Sequence, residues 1–80
     1  MGISAQISLY PLGKESLAED ISEFVKILQA KGLQCEVGKM STILYGEADA
    51  VFNALREAYS YMASRGECVM ISAISNACPV

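Results

Sequence analysis

The residues from Ile3 to Leu9 alternate without exception, Ile3, Ala5, Ile7 and Leu9 falling on one side and Ser4, Gln6, Ser8 and Tyr10 on the other. A period of two over this length predicts a half-buried β-strand. Pro11-Leu12-Gly13 is expected to stop its ladder, because proline has no N–H to donate and glycine permits a turn. Ser16-Leu17-Ala18-Glu19 has the form of a capping box, and Ile21, Phe24, Val25 and Leu28 follow at spacings that make one helical stripe. The helix is predicted to reach about Ala30, with Lys26 and Lys31 toward its negative end and Gly32 closing it in a left-handed conformation.

Alternation returns from Leu33 to Val37, Gly38 to Ser41 reads as a hairpin connection, and Thr42 to Tyr45 is the returning strand, ending at Gly46. Asp49 is the expected cap of a second helix, in which Phe52, Leu55, Tyr59 and Met62 recur at three- and four-residue steps. Arg65-Gly66 ends it. Cys68 to Ile74 forms the last strand, with Val69, Ile71 and Ala73 on one face and Met70, Ser72 and Ile74 on the other. Two strand-helix-strand halves in tandem predict an α+β, ferredoxin-like βαββαβ sandwich: a four-stranded antiparallel sheet in the order 4-1-3-2 with two helices on one face. Eighty residues with 52% hydrophobic content enclose one modest core, so residues 1–80 are read as a single domain.

In this arrangement the helices are expected to cover Ile3, Ala5, Ile7, Leu9, Val69, Ile71 and Ala73. Ser4, Gln6, Ser8, Tyr10, Met70, Ser72 and Ile74 are left on the open face, and none of them is charged. A sheet face in water usually carries Lys, Glu and Thr. A neutral one points to cover by a second sheet or a ligand, against the plainer reading of a solvated Ser/Gln surface. Self-association through this face or its edges, as a dimer or tetramer, follows as an expectation, since a chain this small gains much from it.

Composition narrows the chemistry. Nine acidic against six basic residues give a net charge of -3 with no Lys/Arg cluster, which argues against a nucleic-acid partner. Tyr10 is also the only aromatic residue in the first strand's open set, too little for a base-stacking platform. Histidine is absent, and there is neither a GxSxG elbow nor a metal-spaced carboxylate set, so the chain is read as no enzyme, with no metal and no cofactor. An acylphosphatase-like phosphate loop would need an arginine where Tyr10-Pro11-Leu12-Gly13-Lys14 offers only Lys14. Cys35, Cys68 and Cys78 are odd in number and widely spaced, and read as reduced, half-buried apolar residues, with a regulatory thiol or a metal sensor as alternatives. No run approaches the roughly 18 apolar residues of a membrane helix and no leader is evident, so a cytoplasmic location without a membrane partner is expected.

These exclusions leave a small-molecule site built from neutral hydrogen-bonding side chains and one or two carboxylates. Glu47 lies between the third strand and the second helix, where its charge either favours the helix start or faces a cationic ligand. Met40-Ser41-Thr42 combines a soft apolar contact with two hydroxyls, a set that turn stabilisation explains equally well.

Three segments taken together carry a family likeness: Ala5-Gln6-Ile7-Ser8-Leu9-Tyr10-Pro11-Leu12-Gly13, then Gly38-Lys39-Met40-Ser41-Thr42 with Gly46-Glu47, then Ile71-Ser72-Ala73-Ile74-Ser75. In order and spacing they resemble the YkoF-like thiamine-binding family over nearly the whole chain. The resemblance implies ferredoxin-like domains, single or tandem, that assemble through their sheets and bind thiamine or its hydroxymethylpyrimidine part without turnover, in salvage, transport or sensing. It further implies a ligand site drawn from Gln6, Ser8, Tyr10, Met40, Ser41, Thr42 and Glu47, whose types suit an aminopyrimidine and a cationic thiazolium. The competing reading is an oligomeric interaction module with no small-molecule ligand.

Overall fold

The computed structural model describes residues 1–13, 17–38 and 41–77. Its elements are β1 (Gly2–Pro11), α1 (Leu17–Gln29), β2 (Gln34–Val37), β3 (Thr42–Glu47), α2 (Ala48–Arg65) and β4 (Cys68–Ser75). The strands form one antiparallel sheet in the order β2-β3-β1-β4, which is the ferredoxin-like α+β arrangement read from the other end. The predicted capping box begins at Ser16, outside the described residues.

Alternation in β1 does what the pattern requires. Ile3, Ala5 and Ile7 are buried with Leu44 of β3 beneath the two helices, which contribute Phe24 and Leu28 from α1 and Val51, Ala54, Leu55, Ala58 and Met62 from α2. The strand runs through Pro11 instead of stopping before it: Pro11 pairs with Cys68, and the Leu12 N–H donates to the Glu67 carbonyl at 2.9 Å. N–H direction alternates along a strand, so the donor that Pro11 lacks would point away from β4. On that side the described pairing with β3 has already ended at Ile7–Thr42, and no ladder bond is lost. Gly32 closes α1 with φ of 72°, as the sequence predicts.

Three further details differ from the sequence reading. Helix α2 begins directly after β3, with Glu47 at the N-cap position, so Asp49 sits in the first turn and not at the cap. The buried stripe of α2 is Val51, Ala54, Leu55, Ala58 and Met62, whereas Phe52 is 51% exposed and Tyr59 also faces outward. Alanines that let the helix lie close to the sheet define this stripe, and they count for little in a pattern weighted toward large residues.

The third difference concerns β4. Ile7 stands opposite Ser72, and Leu9 opposite Met70, so Cys68, Met70, Ser72 and Ile74 share the helix-covered side with the core residues of β1. Val69, Ile71 and Ala73 therefore lie on the open face beside Tyr10, Ser8 and Gln6, and Ile71 is 59% exposed. Both faces of Cys-Val-Met-Ile-Ser-Ala-Ile-Ser are apolar, so only the register decides between them. The open side of β1 and β4 stays uncharged and becomes more apolar than expected.

Candidate functional site

The described pairing of β1 with β3 ends at Ile7–Thr42, where β3 begins. Beside that end lies a cavity of about 90 Å³ lined by Ile7, Ser8, Leu9, Ile21, Phe24, Val37, Gly38, Ser41 and Thr42. Residues of both sheet faces reach it because it lies at the end of the paired region. Three hydroxyl-bearing residues from the sequence-derived set, Ser8, Ser41 and Thr42, thus meet around one space, with the Phe24 ring and aliphatic side chains supplying the remaining wall. Thr42 itself is 7% exposed and faces the helices.

The hairpin backbone is held tightly at this point. Gly38 N–H donates to the Ser41 carbonyl at 2.8 Å, and a Cβ on Gly38 would stand 2.9 Å from that same oxygen. Gln6 joins the site from the open face, its Nε2 donating to Ser41 Oγ at 3.4 Å. Met40 lies outside the described residues.

Two other sequence-derived residues stand apart. Tyr10 is exposed on the open face, beyond Ser8 along β1. Glu47 lies at the opposite end of β3 from the hairpin, five residues from Thr42 and so about 17 Å away. Its carboxylate accepts a hydrogen bond at 2.7 Å from the Met1 amine, which this partner pushes above its ordinary value of 8.0. As the N-cap residue of α2 it makes no side-chain cap bond. The neighbouring Gly46 has a packing role, since Leu33 lies where its Cβ would be.

A wider apolar groove of about 490 Å³ adjoins the cavity, formed by Ile21, Ser22, Val25, Lys26, Gln29 and Val37. Ile21 and Val37 line both spaces. Ile21, 39% exposed, belongs to the predicted helical stripe but opens onto the ligand-sized space. Only the missing cover over it distinguishes it from a core residue, and sequence carries no signal for that. Among the described residues no carboxylate lines either space.

The sheet's open face has its own depression of about 340 Å³, bounded by Ser4, Gln6, Ile43, Tyr45, Ala73 and Ser75 among others. Tyr45 donates to Glu36 Oε2 at 3.5 Å at its margin. Cys35 is on the covered side, opposite Leu44, and burial pushes its thiol up from the ordinary value. Among the described residues no three His, Cys, Asp or Glu side chains come together to hold a metal ion, and no helix is long and apolar enough to cross a membrane.

Residues 5–75 match the sequence model of a family described as thiamine-binding protein. The chain belongs to this thiamine-binding protein family. It is 30% identical over 59 residues to the UPF0045 protein MJ1052 of Methanocaldococcus jannaschii, an alignment covering 72% of this chain and 59% of that protein. The chain thus spans about three-fifths of this curated relative. The crystal structure of MJ1052 superimposes with a TM-score of 0.87 at 26% identity, covering 94% of this chain and 79% of the other. A Thermotoga maritima protein described as a candidate for thiamine biosynthesis or salvage shares the fold, with a TM-score of 0.85 at 21% identity over 94% and 83% of the two chains. A Bacillus cereus domain of unknown function does so with a TM-score of 0.82 at 22% identity over 94% and 75%. Within the family, this chain's likeness-bearing segments divide between the hairpin cavity, which takes Ser8, Gly38, Ser41 and Thr42, and packing, which takes Gly46.

Proposed function

We propose that this chain is a cytoplasmic, non-catalytic binding protein for the hydroxymethylpyrimidine part of thiamine, free or within thiamine itself, serving salvage, transport or sensing. The observation that carries the reading is the meeting of Ser8, Ser41 and Thr42 around a cavity walled by Phe24, in a chain of the thiamine-binding family. An aminopyrimidine offers ring nitrogens that accept and an amino group that donates. Hydroxyls do both, and an aromatic wall suits the ring face. A volume of about 90 Å³ takes only part of such a ring, so the hydroxymethyl end or the rest of thiamine lies along the adjoining groove.

Electrostatics favour the pyrimidine as the anchor. Among the described residues the groove carries Lys26 and no carboxylate, so a thiazolium finds no countercharge there and stays toward solvent. Glu47 is too distant to reach it within one subunit. The hydroxyls do not titrate near neutrality and supply no proton shuttle, which fits retention and release better than turnover. The Thermotoga relative's description points to the same area of metabolism. Self-association through the sheet belongs to this reading, because Val69 and Ile71 leave an uncharged apolar strip on the open face.

Calorimetric titration with hydroxymethylpyrimidine and with thiamine tests the proposal. Both are expected to bind, the pyrimidine no more weakly than the vitamin, and Thr42→Val is expected to weaken both about tenfold by removing one hydrogen bond at constant shape. No heat from either compound at millimolar concentration contradicts the proposal. Retained self-association in that case favours the interaction-module reading.

A further inference from the structure

Among the described residues the cationic side chains are Lys26, Lys31, Arg56 and Arg65, and three of them are engaged away from the hairpin. Lys31 pairs with Glu57, Arg56 donates to Asn53 Oδ1 at 3.5 Å, and Arg65 donates to Tyr61 Oη at 3.2 Å. Lys26 borders the groove that adjoins the cavity. It pairs with Glu23, three residues back on the same helix, at 3.7 Å, and both side chains are well exposed. Such a pair in water is worth little, which leaves the Lys26 ammonium open to a stronger anion.

The groove has two kinds of wall. Ser22, Lys26 and Gln29 follow one another at steps of four and three residues along α1 and so form one polar row about 10 Å long. Beside that row Ile21 and Val25, with Val37 from β2, supply an apolar wall. Ile21 and Val37 line the cavity as well, so this wall is continuous from the ring site into the groove. Five residues of helix, a rise of about 7.5 Å, separate Ile21 from Lys26. A substituent that leaves the pyrimidine through this opening runs along aliphatic side chains and ends beside an ammonium flanked by a hydroxyl and an amide, all of them hydrogen-bond donors.

Resting on the pyrimidine reading, we infer that the preferred ligand is the phosphate monoester of hydroxymethylpyrimidine, its phosphate held by Lys26, Ser22 and Gln29 at the outer end of the groove. The exocyclic carbon of the pyrimidine bears an oxygen in this ester and the thiazolium nitrogen in thiamine. The two substituents therefore compete for one place and differ in the sign of their charge. A phosphate monoester carries about −1.5 to −2 charges near neutrality on three acceptor oxygens, so the ammonium that repels a thiazolium attracts it. Lys26 acts as a point charge at the solvent edge, where the phosphate keeps part of its hydration and no isolated charge is buried. The net charge of -3 opposes any anion from a distance, but salt screens that field beyond about 10 Å at 0.1 M, so the adjacent ammonium decides.

Calorimetric titration of the intact chain with hydroxymethylpyrimidine, its phosphate ester and thiamine separates the possibilities. The ester is expected to bind about tenfold more tightly than the alcohol, and this advantage is expected to shrink severalfold between about 0.05 and 0.5 M salt. In Lys26→Gln, a change at an exposed helix position, ester and alcohol are expected to bind alike. Glu23→Gln removes the competing carboxylate and is expected to raise the affinity for the ester severalfold while leaving that for the alcohol unchanged. An ester that binds no more tightly than the alcohol overturns the inference and leaves the pyrimidine reading standing. So does an advantage that survives Lys26→Gln, which would put the phosphate elsewhere, and so does displacement of the ester by an equal concentration of inorganic phosphate, which would show an ion site independent of the ring. Failure of all three compounds to bind at millimolar concentration instead removes the pyrimidine reading itself, and this inference with it.

Discussion

Gly38 permits the tight closure of the hairpin: its N–H and the Ser41 carbonyl bond at 2.8 Å, and a methyl group there meets that oxygen at 2.9 Å. Gly38→Ala is therefore expected to push Ser41 out of the cavity, weakening pyrimidine binding severalfold. Thermal unfolding is expected to fall by about 4–8 °C, the shift that roughly 1 kcal/mol produces in a chain of this size. Glu47 makes a contrasting case at the same scale. Its carboxylate raises the Met1 amine above 8.0, and a raised amine stabilises the folded state fully below its unfolded value and loses that contribution as pH rises through its folded value. The melting temperature of wild type is thus expected to exceed that of Glu47→Gln at pH 7 and to converge with it in alkaline solution. Binding of the pyrimidine is expected to be the same in both, and a selective loss in the variant would return Glu47 to the ligand site.

Among the elements, α1 links stability to the site most directly. Phe24 is buried against the sheet and also walls the cavity. Phe24→Ala is expected to cost about 3–5 kcal/mol in urea unfolding, a large share of the roughly 5–15 kcal/mol that holds a domain together. Phe24→Leu keeps most of the buried volume, so it is expected to retain the fold while losing the aromatic contact to ligand. The two faces of β1 were legible from sequence because they differ in kind, whereas its run through Pro11 was not. α2 was legible in extent but not in orientation, because Ala54 and Ala58 define its buried side without advertising it. β4 was the least legible, since alternation between two apolar sets carries no sign and only pairing with β1 assigns Ser72 to one side and Ile71 to the other.

At the scale of the whole molecule, element order and sheet order followed from two strand-helix-strand units, each with one dominant crossover solution. The site followed only in part. Ser8, Ser41 and Thr42 were separated in sequence by a helix and a strand, and their convergence depends on where β1 and β3 stop pairing, which is a property of register. Glu47 was singled out for its charge at an element boundary, and the fold explains it through the chain's own amine. The central claim is that the pyrimidine lodges where the hairpin closes on β1. Amide chemical shifts of the labelled protein, followed as hydroxymethylpyrimidine is added, test this residue by residue. The account predicts saturable movement at Ser8, Gly38, Ser41 and Thr42 with Glu47 unmoved; perturbations confined to Tyr45 and the open face, or none at millimolar ligand, would contradict it.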